Sequence, residues 1–401
     1  MSASLGTFNG IQISMVQLNN ITIQSSAKSA WFEGGTIVGP VIEYLWDKGF
    51  IATTGGCECV GMLGAGLGGG HGRQEGLHGL ISDNILQLNV VLGNGSAIRV
   101  NATSHSDLLW GMKGAGHNFG IVTSYEMNIF PRGPDTWHYH NYIWRGDKLE
   151  SVFNALNEFH GNGSTPVDMA FNVGNFVMNS TIANDEPVLF WTFAYRGTAE
   201  KAERLLAPFN GIENAYEETG DVPYPQIAHA QGTSMSDPIC QHGSEHSTST
   251  AFLQVYNVTA ERLIFDGFKQ RVAQHTDLAA GTTIMHEGYA TKGVEDVDPA
   301  GSAYPFRDDR HLMLFNAIVP DSDDDGEKKK AAWDWASEVR DQWNAGQPGR
   351  PVDAYVNYAT GFETLKERYG HESWRVEKLR GLKTQYDPDN RFCYYNPIVV
   401  E

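Results

Sequence analysis

The sequence predicts an α+β protein in which a glycine-dense, strand-rich first third precedes a mainly antiparallel sheet with helices on one face. Three observations predict it. Short apolar runs and glycine clusters dominate residues 1–131; from Trp137 to about Pro320 the pattern changes to strands separated by helices; and Pro131-Arg132-Gly133-Pro134 stands between the two as a boundary. Three segments follow: 1–131, 132–350 and a C-terminal 351–401.

Within the first segment, Ile85 to Val100 reads as a hairpin. Leu86, Leu88, Val90 and Leu92 alternate on one face, Gly93-Asn94-Gly95-Ser96 turns, and Ile98 and Val100 return. Ser106 is placed to cap a short helix through Lys113, after which Gly114–Gly120 is too rich in glycine to be helical. A strand follows in which Ile121, Thr123, Tyr125, Met127 and Ile129 alternate with Ser124, Glu126 and Asn128. In the middle segment, strands are expected over 137–144, 169–178, 188–195, 251–256, 282–289 and 311–319, and helices over 198–209, 259–275 and 328–343. The last segment has Tyr355-Val356-Asn357-Tyr358, whose period-2 alternation sets Tyr355 and Asn357 on one face and Tyr358 on the other. A helix with Val376, Leu379, Leu382 and Tyr386 at spacings of three and four comes next, stopped by Asp387-Pro388.

With 401 residues the chain can bury two cores. Asp plus Glu outnumber Lys plus Arg by 48 to 29, a net charge of −19 that disfavours nucleic acid and anionic membranes as partners. No apolar run approaches the roughly 20 residues of a membrane span. The polar start Met1–Ser4 has neither a charged nor an apolar signal region, so a soluble chain without an export signal is expected. Sequons at Asn20, Asn94, Asn101, Asn162, Asn179 and Asn257 would suit a secreted full-length glycoprotein, but abundant Asn, Ser and Thr produce them by chance as well. Localisation therefore stays open, and no pattern speaks to oligomeric state. Four cysteines, Cys57, Cys59, Cys240 and Cys393, are too few and scattered for a disulfide framework.

The densest chemical signal is Gly55–Gly72, with nine glycines in eighteen residues. Such a backbone can pass close to a flat or phosphorylated ligand and aim bare amides at it. Gly64, Gly66 and Gly69 match G-x-G-x-x-G with Asp83 near the ribose-acid position, but a dinucleotide fingerprint needs a strand before and a helix after, which the flanking residues do not supply. Cys57-Glu58-Cys59 lacks a second ligand pair for zinc, so no metal is expected there. A thiol beside a glycine cradle is better read as a nucleophile toward an electrophilic ring, and Cys59 as a small buried residue. The acidic run Asp321–Glu327 lacks the bidentate Glu of a calcium loop and reads as solvated.

These residues carry a resemblance. Gly55–Gly72 with Gly79–Asn84, then Asn101–Trp110 and Gly114–Thr123, resembles the second half of the flavin domain of berberine bridge enzyme-like oxidases, within the vanillyl-alcohol oxidase or p-cresol methylhydroxylase-type family. Tyr355–Tyr358 with Tyr386–Phe392 resembles that family's closing motif. The resemblance implies a p-cresol methylhydroxylase-type FAD domain formed by 1–131 and the C-terminal tail, with an α+β substrate domain between them. It also implies FAD attached through Cys57, whose Val60-Gly61 completes a Cys-x-x-Val-Gly motif. Gly55, Gly56, Gly61, Gly66 and Asn84 would lie along the flavin, and Ile121 and Val122 would reach it by backbone groups. Tyr355 and Asn357 match a Tyr-x-Asn motif whose tyrosine helps deprotonate a substrate hydroxyl.

The activity implied is oxidation of an alcohol or amine of a small organic molecule, in secondary metabolism, with dioxygen as final acceptor. Glu287 in Met285–Tyr289 is a second candidate base, although a surface carboxylate is the simpler expectation for it. The family's Arg-Gly-x-x-His-like pyrophosphate loop has no counterpart here; the chain begins near Gly10–Met15, where the family resumes with a strand. A flavin domain without its N-terminal part is therefore expected, lacking phosphate hydrogen bonds worth about 1.5–3 kcal/mol each and exposing a sheet edge. A truncated homologue that binds no flavin is the alternative function, and a nicotinamide-dependent dehydrogenase a third. No motif in the middle segment names a substrate, so sugar, alkaloid and polyketide-type alcohols all remain.

Overall fold

A computed structural model describes residues 10–163, 165–241, 243–320 and 326–399. The first part supplies β1 (Ile21–Ile23), β2 (Ser29–Glu33), β3 (Phe50–Ile51), β4 (Ile85–Val91), β5 (Ala97–Asn101), β6 (Ile121–Asn128) and β7 (Phe130–Pro131). Five of these form an antiparallel sheet in the order β1-β2-β6-β4-β5, and β3 pairs with β7. The β4–β5 hairpin forms as its alternation predicts, with one correction. A register shift between Ile85 and Gln87 turns the start of β4, so Ile85 is buried and Leu86 is 40% exposed. A second shift beside Val90 likewise buries Val122 in place of Ile121.

Two more expectations fail here. Gly10–Met15 is not a strand: Ile11 and Ile13 lie exposed with no pairing partner, and the sheet begins at β1. Ser106 is the first residue of its helix, Ser106–Ala115, and does not cap it; His105, in the left-handed region, precedes it, and Asp107 accepts a hydrogen bond from the Leu108 amide at 2.8 Å. The helix breaks at Lys113 and Gly114, where φ is 134° and a side chain would strike the Tyr304 backbone.

The second part adds β8 (Trp137–Trp144), β9 (Met169–Asn179), β10 (Ala183–Tyr195), β11 (Tyr216–Val222), β12 (Glu245–Leu253), β13 (Thr282–Tyr289) and β14 (His311–Val319). They make one antiparallel sheet ordered β11-β8-β10-β9-β13-β14-β12. Helices Leu149–His160, Ala199–Asn210, Val258–Gln274 and Glu327–Ala345 cover one face, burying Trp144, Trp191, Phe265, Phe315 and Trp335. β12 starts six residues before its expected limit because Glu245–Thr250 is polar yet paired along β14. β11 and the 149–160 helix were not expected. Tyr216–Val222 is acidic and largely exposed, an edge strand without apolar alternation. The acidic run falls at 321–325 outside the described residues.

Cross-strand register sorts the faces of this sheet. Glu287, Val173, Thr192 and Asn141 are directly paired in turn across β13, β9, β10 and β8, so they share the face opposite the helices. That face meets the glycine-rich segment of the first part. Asn141 donates to the Ala230 carbonyl at 2.9 Å, and buried Arg73 donates to Gln231 at 2.9 Å. The C-terminal helix Ser373–Tyr386 returns to the first sheet: Lys383 is buried between the Asn118 and Phe392 carbonyls and Asp387.

Candidate active site

The glycines of 55–72 fall into two kinds. A methyl group on Gly68 would collide with Asn357, on Gly72 with the Thr54 carbonyl, on Gly69 with the Tyr304 ring at 2.6 Å and on Gly66 with Ile81 at 2.7 Å. These four are glycine because protein packs on them. Around Gly55, Gly56 and Gly61, by contrast, the nearest atom to such a methyl lies at 3.6–4.0 Å, and around Gly64 nothing lies within 4 Å, so none of these four would clash. Bare backbone with room above it fits a flat ring system, and this is the part of the run suited to FAD. Gly66, expected on the flavin, is packed against Ile81 instead.

The remaining cofactor candidates lie nearby in different settings. Gly61 bridges to Ile37, and the preceding Gly34 amide donates to Thr123 beside Val122, so Gly61, Ile121 and Val122 border one loop. Asn84 is buried with its amide donating to the carbonyls of His78 and Leu80, both at 2.9 Å. Asp83 forms a two-pronged pair with buried Arg307 at 2.7 and 2.8 Å, which removes the ribose-binding reading. Gly64 and Gly66 lie within a short helix, Met62–Gly66, contrary to a dinucleotide fingerprint.

The cysteines correct the sequence reading. Cys59 is not a small buried residue: half-buried, it is disulfide-bonded to Cys240, 181 residues away. Cys57 is a free thiol whose sulfur lies 3.5 Å from that of Cys59 and 3.6 Å from that of Cys240. Burial pushes the Cys57 thiol up, against the Cys59 backbone amide and the Arg73 charge, which favour the thiolate.

Across the run, Tyr355 and Asn357 converge on Gly70. The Tyr355 oxygen accepts from the Gly70 amide at 3.1 Å and from Asn357 Nδ2 at 2.7 Å. Burial drives this phenol above its ordinary value despite those donors. Tyr358 does not point away. Residues 355–358 form a turn, with the Tyr358 amide bonded to the Tyr355 carbonyl, so the two rings meet at 5.0 Å. Strand alternation does not apply to a turn. Glu287 is not a surface carboxylate either: 5% exposed, it accepts from Tyr358 and Tyr289, each at 2.8 Å. Burial raises its pKa, partly opposed by the two tyrosine hydrogen bonds.

His71 and Glu75 complete the cluster and were missed. Nδ1 of His71 lies 3.1 Å from both Glu75 oxygens, Nε2 lies 2.7 Å from the Tyr304 hydroxyl, and the ring is 5.1 Å from Tyr355. Burial would lower the His71 pKa, but the Glu75 carboxylate outweighs it and the net shift is upward. The four-residue spacing between a histidine and a glutamate at the end of the glycine run was the available signal. Tyr289, Tyr304, Phe171 and Phe252 close the wall with aromatic surface.

Comparison with known proteins agrees with this geometry. The FAD binding domain family matches residues 1–101 and the "Berberine and berberine like" family matches 354–399. The chain is 51% identical to FAD-linked oxidoreductase OXR2 of Pyricularia oryzae and 49% identical to FAD-linked oxidoreductase anuG of Penicillium roqueforti, covering 99% of this chain and 77% of each relative. Among solved structures it is similar to Physcomitrella patens BBE-like 1 (TM-score 0.78, 18% identity, 96% of this chain and 80% of that one) and to a chitooligosaccharide oxidase (TM-score 0.74, 21% identity, 96% and 81%). Among the described residues no helix is long and apolar enough to cross a membrane. The glycine cradle, the closing Tyr-x-Asn turn and these relatives together place the chain among the berberine bridge enzyme-like FAD-linked oxidoreductases.

Proposed function

We propose that this FAD-dependent oxidoreductase is an oxidase for an alcohol or amine on a small organic molecule, in secondary metabolism, with dioxygen as electron acceptor. The observation that carries the reading is the cluster of buried Tyr355 and Glu287 joined by half-buried Tyr358, set against the glycine run at Gly70. The aromatic wall of Phe171, Phe252, Tyr289 and Tyr304 suits a ring-bearing substrate. In this reading residues 1–131 and 351–401 hold the cofactor and 132–350 the substrate. Gly55, Gly56 and Gly61 lie along the flavin, Asn84, Ile121 and Val122 support its rim, and Cys57 is the point of covalent attachment.

FAD, when bound, accepts a hydride from the substrate carbon and passes its electrons to dioxygen. The protein's task is then the proton. Tyr355 has both its lone-pair directions filled by Gly70 and Asn357, so its own O–H is left to hold the substrate hydroxyl. A phenol raised by burial is a poor acceptor, whereas Glu287, a carboxylate whose proton affinity burial raises, is a better one. Tyr358 joins the two: its ring packs on Tyr355 and its hydroxyl donates to Glu287. The test is anaerobic mixing of FAD-loaded protein with a panel of aromatic and polyketide-type alcohols, followed by oxygen. Bleaching of the visible flavin band and its return with peroxide release are expected. Protein that binds no FAD, or whose flavin no alcohol or amine reduces, overturns the reading.

A further inference from the structure

The helix-covered face of the seven-stranded sheet carries a second cluster of chemically capable side chains. Alternation along β8 sets His138, His140 and Tyr142 on that face. β11 pairs beside it with Asp221 opposite His138 and Thr219 opposite His140, and the Ala199–Asn210 helix crosses above and lowers Glu203 between them. As a result His138 Nε2 and His140 Nδ1 both lie 2.8 Å from one atom, Glu203 Oε1. The rings are 3% and 4% exposed, and the three donor atoms lie within 4.8 Å of one another. Two imidazole nitrogens and a carboxylate oxygen aimed at a common point are a donor set suited to zinc and its neighbours.

The partners orient each donor as a ligand. Asp221 lies 2.7 Å from His138 Nδ1 and favours a proton there, turning Nε2 to the common point; the Thr219 hydroxyl, 2.9 Å from that Nε2, and the Tyr142 hydroxyl, 3.0 Å from His140 Nδ1, are the contacts a metal would displace. Asn210 donates to the other Glu203 oxygen at 2.8 Å, so Oε1 is the one available. His140 Nε2 is buried with no hydrogen-bond partner among the described residues, and Glu217 lies 3.7 Å from it. Ligation through Nδ1 puts the proton of this ring on Nε2, facing that acid. Three carboxylates around two imidazoles leave an excess of negative charge that a dication offsets.

We propose that His138 Nε2, His140 Nδ1 and Glu203 Oε1 bind one divalent transition-metal ion of the zinc class, with water as fourth ligand. The ion staples the 199–210 helix to β8 and, through Asp221, to the edge strand β11. Tetrahedral bonds of about 2.0–2.1 Å need these atoms slightly farther apart than now, and Glu203, whose side chain is 32% exposed, has room to retreat. Metal binding displaces any proton from the two ligating nitrogens, so affinity falls as pH is lowered.

The experiment strips the purified chain with a chelator and titrates it with zinc sulfate alone. Bound zinc is counted by competition with a coloured chelator, and Tm is followed in parallel. One equivalent taken up with a rise in Tm is expected. Asp221→Asn should weaken binding about 10- to 100-fold and Glu203→Gln at least as much, while Cys57→Ser leaves it unchanged. Glu203→Gln keeps the shape and one hydrogen bond of the original, and Asp221 lies half-exposed on the edge strand, so at least one variant folds. Wild type that takes up no zinc, or that binds it equally after both substitutions, overturns the proposal.

Discussion

The two walls of the active site are built from different material. The wall from the first part is backbone: glycines that either admit another protein group or leave an open surface. The wall from the seven-stranded sheet is side chain: Glu287, Tyr289 and Phe171 on adjacent strands, closed by Tyr358 from the C-terminal turn. The difference teaches where control lies. Where it is packed, a glycine wall tolerates no added bulk, and its titratable groups are confined to Cys57, His71 and Glu75, whereas a side-chain wall can be edited atom by atom.

The sharpest way to break this comparison is at Tyr355, where the two walls touch through the Gly70 amide. With FAD bound, Tyr355→Phe should slow flavin reduction by about 10²–10³-fold, as loss of a donor to the developing alkoxide does, with cofactor affinity unchanged. A wild-type rate would make Tyr355 a packing residue. Glu287→Gln should lower the rate about 100-fold at high pH, where the wild-type carboxylate is ionised, and abolish the fall toward low pH, where the two proteins converge. That limb reports a carboxyl raised by burial, which must be ionised to accept a proton.

The Cys57 loop belongs to the backbone wall but is pinned to the other part by the Cys59–Cys240 bond. Replacing both Cys59 and Cys240 by serine should cost about 2–5 kcal/mol of stability, read as a lower Tm, while flavin remains covalently attached on a denaturing gel. Cys57→Ser should do the reverse. Covalent flavin that survives Cys57→Ser would remove Cys57 from its proposed role.

Within the glycine run, Gly72→Ala should destabilise by about 1–3 kcal/mol, because its methyl meets the Thr54 carbonyl. Gly64→Ala, in a helix with nothing within 4 Å, should leave the Tm of the flavin-free protein unchanged or slightly higher and weaken FAD binding. Equal stability losses at both positions would end the division into packed and open glycines.

The smallest effect expected is a pH dependence confined to the side-chain part. Burial, with the Asp353 charge beside it, pushes Asp309 up to about 7 although Arg350 lies 2.6 Å away. Its folded value exceeds its unfolded one, so the associated stability is present below the ordinary carboxylate range and is lost as pH rises through about 7. Between pH 5 and 8 the Tm of wild type should therefore fall more than that of Asp309→Asn, as measured by thermal unfolding at each pH.

Local chemistry determined much of this molecule. Alternation placed β8, β13 and β14 to the residue, and glycine density marked the segment on which Asn357, Tyr304 and Ile81 pack, because each of these signals lies within a few neighbouring residues. Tertiary structure alone decided the rest. Which glycines are packed depends on Asn357, Tyr304 and Thr54 arriving from elsewhere in the chain, and the register shifts in β4 depend on β6. Cys59 finds Cys240 across 181 residues, and Glu287 is buried because Tyr358 folds over it. Burial and pairing at such separations are properties of the assembled layers, and no window of sequence contains both partners.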